Sequence, residues 1–186
     1  YDGTALSEVP SLHFVTDGEV VRNSPPERPV RLIDTRAHPL DPEYVAAGVE
    51  LPVMVGRGCF YNCAFCDYIS LYERINFRSV DEVVASARLA AQLSDTGALH
   101  FVYEVMSLVY ERKLAKALVA ADLGVRWRGF QRVFGDMTRE DVELLERSGC
   151  HRLDIGLESA DDETLALMNK GYDRAEIGRF LSAFAG

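Results

Sequence analysis

From residue 51 to residue 186, short apolar runs alternate with longer amphipathic stretches. The runs at 51–55, 100–105, 125–131 and 152–157 have the length and composition of buried β-strands. The last three runs begin about 26 residues apart, and strand–helix units at that interval build a parallel sheet with right-handed crossovers. The pattern therefore predicts an α/β fold.

The stretches between the runs are predicted to be helices. Three of them begin with a capping pair, in which a polar residue is followed three positions later by an acidic one: Ser79 with Glu82, Thr138 with Asp141, and Asp173 with Glu176. Further helices are predicted near 110–123 and 161–168, and Gly149 is a natural end for the helix that Thr138 begins. The last helix is predicted to turn four apolar residues inward: Ile177, Phe180, Leu181 and Phe184.

Four strand–helix units are half of an eightfold α/β barrel, or most of an open doubly wound sheet. The barrel is favoured because residues that could carry chemistry follow several different strands. The next strand is expected just after Gly186. We therefore predict a partial (β/α) TIM-like barrel, truncated after about four strand–helix units.

Residues 1–50 have a different character. The run at 13–22 alternates as a β-hairpin would, with Asp17 and Gly18 as a type I′ turn. The Pro-rich stretch at 24–29 cannot join a helix and is interpreted as an extended linker. We therefore divide the chain into an N-terminal hairpin and connector, 1–50, and a barrel segment, 51–186.

Composition adds limits on partners and location. Apolar residues make up 48% of the chain and charged residues 26%, which is ordinary for a globular protein. No apolar run approaches the roughly 18 residues that a membrane span needs, and no signal peptide opens the sequence. The net charge of −9 does not suit binding to the phosphate backbone of nucleic acid. We expect a soluble, cytoplasmic protein without a membrane or nucleic-acid partner.

The cysteines give the strongest chemical signal. Cys59, Cys63 and Cys66 lie on one short loop and Cys150 stands alone, so they do not resemble a disulfide framework. The loop directly follows a predicted strand, at the end of the barrel where active sites of this fold lie. Three thiolates can each bind one iron of a [4Fe–4S] cluster and leave the fourth iron without a protein ligand.

Two other interpretations of these cysteines stay open, namely a zinc site and inert structural thiols. Zinc prefers four ligands, and this loop offers three. Cys150 could be a fourth, but it is predicted at the end of the barrel opposite the loop. It is expected to be a small buried apolar residue instead.

The Cys-x3-Cys-x2-Cys spacing, with an aromatic residue just before the third cysteine, resembles the signature of the radical S-adenosylmethionine (SAM) superfamily. That resemblance implies a [4Fe–4S] cluster whose open iron is chelated by the amino and carboxylate groups of SAM. An electron from the reduced cluster would cleave SAM to a 5′-deoxyadenosyl radical, which abstracts hydrogen from the substrate. It also implies that Phe65 lies beside the adenine, and that flavodoxin or ferredoxin supplies the electron.

The same resemblance assigns four further cofactor-binding residues. The Gly-x-Glu-Ser run at 156–159, followed by Met-x-Lys-Gly at 168–171, implies that Glu158 and Ser159 reach toward SAM. Arg132 would meet the SAM carboxylate, and Glu104 falls where the superfamily places an acidic residue. Simpler roles stay open: Ser159 as a helix cap and Arg132 in a surface salt bridge. His100 is expected to begin its strand at the far end of the barrel, in a structural role.

The stretch Leu-Pro-Val-x-x-Gly-Arg-Gly-Cys at 51–59, after a hairpin and connector, resembles the join between a cobalamin-binding domain and a radical SAM core. This implies a cobalamin-dependent methyltransferase acting on a peptide or natural product, with cobalamin held by a domain outside this chain. One alternative is a cobalamin-independent methylthiotransferase or oxidoreductase. Another, from a different class, is a non-catalytic iron–sulfur or zinc-binding module.

Overall fold

The computed structural model describes residues 4–25, 42–68 and 75–185, which belong to two compact units, Tyr1–Asp34 and Thr35–Gly186. In the first unit, β1 (His13–Thr16) and β2 (Glu19–Arg22) pair antiparallel. Asp17 and Gly18 both have positive φ, at 49° and 80°, as a type I′ turn requires. The predicted hairpin is therefore confirmed, whereas most of the predicted Pro-rich linker lies outside the described residues.

The second unit is built on a parallel sheet. Its strands are β3 (Leu51–Met54), β6 (Ala98–Val102), β7 (Arg126–Gln131) and β8 (Cys150–Ile155), hydrogen-bonded in that order. All three neighbouring pairs are parallel. The predicted α/β fold with a partial-barrel sheet is confirmed. Strand bounds differ from the prediction: β6 spans Ala98–Val102 instead of 100–105, which puts His100 in the middle of the strand, and β8 spans Cys150–Ile155 instead of 152–157.

Helices follow the strands. Besides the short α1 (Pro42–Ala46), they are α2 (Val80–Leu93), α3 (Leu108–Ala121), α4 (Arg139–Arg147), α5 (Asp162–Leu167) and α6 (Arg174–Phe184). All three predicted capping pairs form reciprocal hydrogen bonds at the starts of α2, α4 and α6. No helix in the described ranges is long and apolar enough to cross a membrane.

Two helix predictions were wrong in detail. Leu181 on α6 is 47% exposed, while Ile177 and Phe180 are buried as expected. Helix α5 is capped by Asp161, whose carboxylate accepts from the N–H of Thr164 at 2.8 Å. Ser159 is therefore not the cap, because it lies too far before the first turn to reach an unpaired N–H of that helix.

One face of the sheet is apolar, and the other carries polar side chains. Leu99, Phe101 and Trp127 are fully buried against the helices, with the rings of Phe101 and Trp127 stacked 4.9 Å apart. Successive residues of a strand point to opposite faces, so His100 and Arg128 share the other face. There Arg128 Nη2 lies 3.2 Å from His100 Nδ1. Since a guanidinium only donates, His100 is a structural acceptor and its Nε2 carries the proton.

A small antiparallel pair not predicted from the sequence, β4 (Gly56–Arg57) with β5 (Asn76–Phe77), leads into the cysteine loop. A side chain at position 56 would meet the Phe77 ring, with the ring Cε1 only 2.8 Å from an added Cβ. Glycine is needed at 56 for this close approach, and at 58 for a φ of 90°. The start of the loop is thereby held against the sheet.

Candidate functional site

The three cysteines of the loop line one cleft of about 190 Å³, together with residues from the ends of β6, β7 and β8. All three thiols are free and partly exposed. Burial raises the pKa of the Cys59 thiol, and the N–H of Tyr61, 3.5 Å from its sulfur, partly opposes that shift. Metal binding would displace the proton, because the thiolate is the ligand.

The number of thiols bears on which metal they could hold. Zinc is usually bound by four protein ligands in a structural site, and the loop offers three free cysteines. Three thiolates can each bind one iron of a [4Fe–4S] cluster and leave the fourth iron open. The donor set therefore fits an iron–sulfur cluster better than zinc.

Cys150 does not join this group. It is the first residue of β8, at the end of the sheet opposite the cleft, and it packs against the core. Burial raises the pKa of its thiol to about 12. It therefore behaves as the small apolar residue that the sequence predicts, and it is no fourth ligand for the loop.

Glu104 lies two residues past β6 and anchors the cysteine loop. Its Oε2 accepts from the Gly58 N–H at 2.8 Å, and its Oε1 accepts from Arg57 Nη1 at 3.1 Å. The side chain is 10% exposed and lines the cleft. Both carboxylate oxygens of Glu104 thus hold the loop that carries the cysteines. Glu104 has this structural role in addition to SAM binding, which stays a prediction.

Arg132 directly follows β7 and is buried in the cleft wall. Its guanidinium carbon lies 3.5 Å from the centre of the Tyr61 ring and 4.9 Å from that of Tyr172. Its Nη1 is 4.0 Å from Cys63 Sγ, and its Nη2 has no hydrogen-bond partner among the described residues. The surface salt-bridge role is thus wrong. An unpaired buried donor in a cleft is suited to an anionic ligand such as a carboxylate.

Glu158 and Lys170 line the same cleft. Glu158 has a φ of 64°, which is strained for a residue with a side chain, and its Oε1 lies 3.5 Å from Lys170 Nζ. Lys170 is buried, donates to the Gly156 carbonyl at 3.0 Å, and lies 5.5 Å from the centre of the Phe65 ring. Buried lysines are rare unless paired. Lys170 was not predicted as a site residue, although the Met-x-Lys-Gly run contained it.

The turn that carries Lys170 is also tied to the cysteine loop. The N–H of Ala64 donates to the Met168 carbonyl at 2.9 Å, and Asn169 Nδ2 donates to the Asn62 carbonyl at 2.7 Å. The second contact joins residues 107 positions apart in the sequence. The motifs do not reveal this contact, because both asparagines occupy variable positions in them, Asn62 in the Cys-x3-Cys-x2-Cys run and Asn169 in the Met-x-Lys-Gly run.

The remaining predicted residues fall into two groups. Phe65 lines the cleft and is 56% exposed, as a residue that stacks on a ligand would be. Ser159 is absent from the residues that line the cleft, and its Oγ accepts from the Asp161 N–H at 3.1 Å. Phe130 and Asp154, which the sequence did not single out, also line the cleft.

Comparison with known proteins places these features in a wider group. The profile of the Radical SAM superfamily matches residues 53–184. The bacteriochlorophyllide d C-12(1)-methyltransferase of Chlorobaculum tepidum is 29% identical over 129 residues, which is 68% of this chain and 28% of the relative. An uncharacterised methyltransferase of Pyrococcus horikoshii is 26% identical over 179 residues, covering 91% of this chain and 38% of the relative.

Solved structures show the same fold. The cobalamin-dependent SAM radical enzyme OxsB, with aqua-cobalamin and SAM bound, superposes with a TM-score of 0.66 at 20% identity, covering 93% of this chain and 27% of that one. The radical SAM methyltransferase TsrM of Kitasatospora setae, with cobalamin and a [4Fe–4S] cluster bound, gives a TM-score of 0.66 at 19% identity, covering 77% and 30%. The chain thus spans well under half the length of each of these relatives.

Proposed function

Because this chain belongs to the radical SAM superfamily, we propose that it is the N-terminal part of the core of a cobalamin-dependent radical SAM methyltransferase. The observation that carries the proposal is the cleft, where three free cysteines on one loop face the buried Arg132, whose Nη2 has no hydrogen-bond partner among the described residues. The methyltransferase assignment draws on the two sequence relatives, both of which are named as methyltransferases.

The residues of the cleft divide the work of holding the cofactors. Cys59, Cys63 and Cys66 would hold a [4Fe–4S] cluster, and Glu104 keeps their loop in place through the Gly58 N–H. The bound cluster would supply the electron that cleaves SAM to a 5′-deoxyadenosyl radical. Arg132 Nη2 would bind the SAM carboxylate, because it is a buried donor to which no described residue offers an acceptor.

The other cleft residues suit the nucleoside end of SAM. Phe65 offers an exposed ring for the adenine. Glu158 would accept hydrogen bonds from the ribose. Lys170 keeps the Glu158 carboxylate turned to the cleft through an ion pair at 3.5 Å. Ser159 is left out of this assignment, because it does not line the cleft.

Substrate, reductant and location complete the proposal. The substrate is a small molecule, of the natural-product or peptide class, and cobalamin is held by a separate domain of the complete protein. The electron comes from a one-electron protein reductant such as flavodoxin or ferredoxin. The free thiols suit the reducing cytoplasm, where cysteines stay reduced.

The test is electron paramagnetic resonance (EPR) of protein reconstituted anaerobically with iron and sulfide and then reduced. The wild type and Cys150→Ala, the matched control outside the cleft, are expected to give a [4Fe–4S]⁺ signal that shifts when SAM is added. The triple variant Cys59→Ala, Cys63→Ala, Cys66→Ala is expected to give none. One zinc per chain and no cluster in the wild type would contradict the proposal.

Two further outcomes separate the alternatives. A cluster signal that SAM leaves unmoved would indicate a non-catalytic iron–sulfur module. In the complete protein, SAM cleavage that proceeds equally well without cobalamin would indicate an oxidoreductase or methylthiotransferase instead.

A further inference from the structure

Arg132 is a cation buried in the wall of the cleft. The residue is 8% exposed, and among the described residues no carboxylate forms an ion pair with it. A buried charge is costly unless it is paired and hydrogen-bonded. The cost is the more notable in a chain of net charge −9, where acidic partners are plentiful. The cleft therefore keeps a positive charge ready for an anion.

The surroundings of Arg132 fix the plane of its guanidinium but leave its edge free. Tyr61 and Tyr172 contribute ring faces, with centres 3.5 Å and 4.9 Å from the guanidinium carbon. Contacts of this kind orient the planar group without using its N–H donors. One edge nitrogen, Nη1, then lies 4.0 Å from Cys63 Sγ, while Nη2 has no partner among the described residues.

We propose that Arg132 donates a hydrogen bond to the sulfur of Cys63 and thereby raises the reduction potential of the cluster that this cysteine helps to hold. The inference rests on the proposed function and adds a positioning role to it. Reduction adds one electron, supplied by a one-electron protein reductant or by dithionite, and makes the cluster and its thiolates more negative. A donor and a positive charge beside the sulfur stabilise that reduced state, and hydrogen bonds to sulfur are a known determinant of cluster potential.

The two terminal nitrogens of Arg132 thus have different roles. Nη2 is the donor proposed for the SAM carboxylate, and Nη1 is the donor for the cluster thiolate. Only the second role predicts an effect on the potential in the absence of SAM. That difference makes the two roles separable by experiment.

The test is a redox titration without SAM, in which the [4Fe–4S]⁺ signal of the reconstituted protein is followed by EPR. Arg132→Gln, which loses the charge, is expected to lower the ratio of reduced to oxidised cluster at least tenfold at a fixed solution potential, equal to a 59 mV shift for one electron. Arg132→Lys keeps the charge but loses the fork of donors, and a smaller decrease is expected. The matched control is Arg126→Gln, at the exposed start of the same strand, with the wild-type ratio expected.

Iron and sulfide contents are measured for every variant, so that loss of the cluster is not mistaken for a shift in potential. A wild-type ratio in Arg132→Lys or Arg132→Gln with full cluster content would overturn the inference. The absence of any cluster signal in the wild type would instead refute the proposed function. If Arg132→Gln cannot hold a cluster, Arg132→Lys decides the result.

Discussion

Glu111 on α3 is a buried carboxyl group beside Gln131, one of the residues that line the cleft. It is 3% exposed, and neither of its oxygens has a hydrogen-bond partner among the described residues. Burial, and then the negative charge of Asp141, raise its pKa from 4.5 to about 8. The neighbouring cation, Arg112, already donates two hydrogen bonds to Asp141, at 2.6 and 2.7 Å. Glu111 is therefore protonated in the folded protein at neutral pH.

The side chain of Gln131 lies beside Glu111 and lowers its pKa, which partly opposes the effect of burial. Gln131 Oε1 has no hydrogen-bond donor among the described residues. A protonated Glu111 can donate to that oxygen, while Gln131 Nε2 donates to the Arg132 carbonyl at 3.0 Å. We predict that Glu111→Gln, which copies the neutral form and keeps a donor, removes the cost of protonating this group.

The sign of the pH dependence follows from the direction of the shift. The unfolded carboxyl ionises near 4.5, whereas the folded one ionises near 8. Between these values unfolding releases a proton, so rising pH destabilises the folded wild type by about 1.4 kcal/mol per pH unit. From pH 5 to pH 7.5 the accumulated loss is about 3 kcal/mol, and it levels off above the folded pKa. The glutamine variant does not pay this cost.

The assay is urea denaturation of the metal-free, reduced protein at pH 5 and at pH 7.5, with the free energy of unfolding extrapolated to water. Going from pH 5 to pH 7.5, the wild type is expected to lose about 3 kcal/mol more than Glu111→Gln. Titrating groups common to both proteins cancel in this comparison. Glu146→Gln, an exposed position on α4, is the matched control and is expected to follow the wild type. An identical pH dependence in wild type and Glu111→Gln would refute the reasoning.

Three further predictions concern the cysteine loop and its supports. Glu104→Gln loses the ion pair with Arg57, so the unfolding free energy is expected to fall by about 1.5–3 kcal/mol. Less iron should also be bound after reconstitution. Wild-type iron content and stability would contradict this. Asn169→Ala loses the hydrogen bond to the Asn62 carbonyl, which is worth about 1 kcal/mol. The variant is expected to lose its cluster to a chelator faster than the wild type. An unchanged rate would show that this hydrogen bond is not needed to retain the cluster. Gly56→Ala places a methyl group against the Phe77 ring and is expected to lower the free energy of unfolding by about 1–3 kcal/mol. The melting temperature should fall accordingly. An unchanged melting temperature would mean that the ring moves aside freely.

Much of the fold was readable from neighbouring residues, because the interactions that decide it are local. A capping pair such as Ser79 with Glu82 depends on groups within one helical turn. The hairpin turn at Asp17 and Gly18 depends on two backbone conformations, and the apolar rhythm that predicts a parallel sheet depends on which faces must be buried. The three cysteines belong to the same class, since their spacing on one loop is itself the signal.

The sequence predicted less well which side chains are buried and where each element begins. Leu181 fits the apolar stripe of α6 by spacing, yet it is 47% exposed, because only contact with a neighbouring element decides how wide a stripe is covered. Ser159 fits a capping motif, but the helix begins at Asp162 and its cap is Asp161, which accepts from the Thr164 N–H, whereas Ser159 accepts from the Asp161 N–H. His100 was displaced from strand end to strand centre by the same kind of boundary error.

The sequence by itself determined the chemistry available at this site: three thiols on a loop after a strand, followed by acidic and basic residues at later strand ends. Only the tertiary structure decided how those groups serve one another. It engaged Glu104 with the Gly58 N–H, set Arg132 between Tyr61 and Tyr172, and buried Lys170 beside Glu158. These pairings join distant segments, and such contacts depend on how strands and helices pack in three dimensions rather than on spacing along the chain.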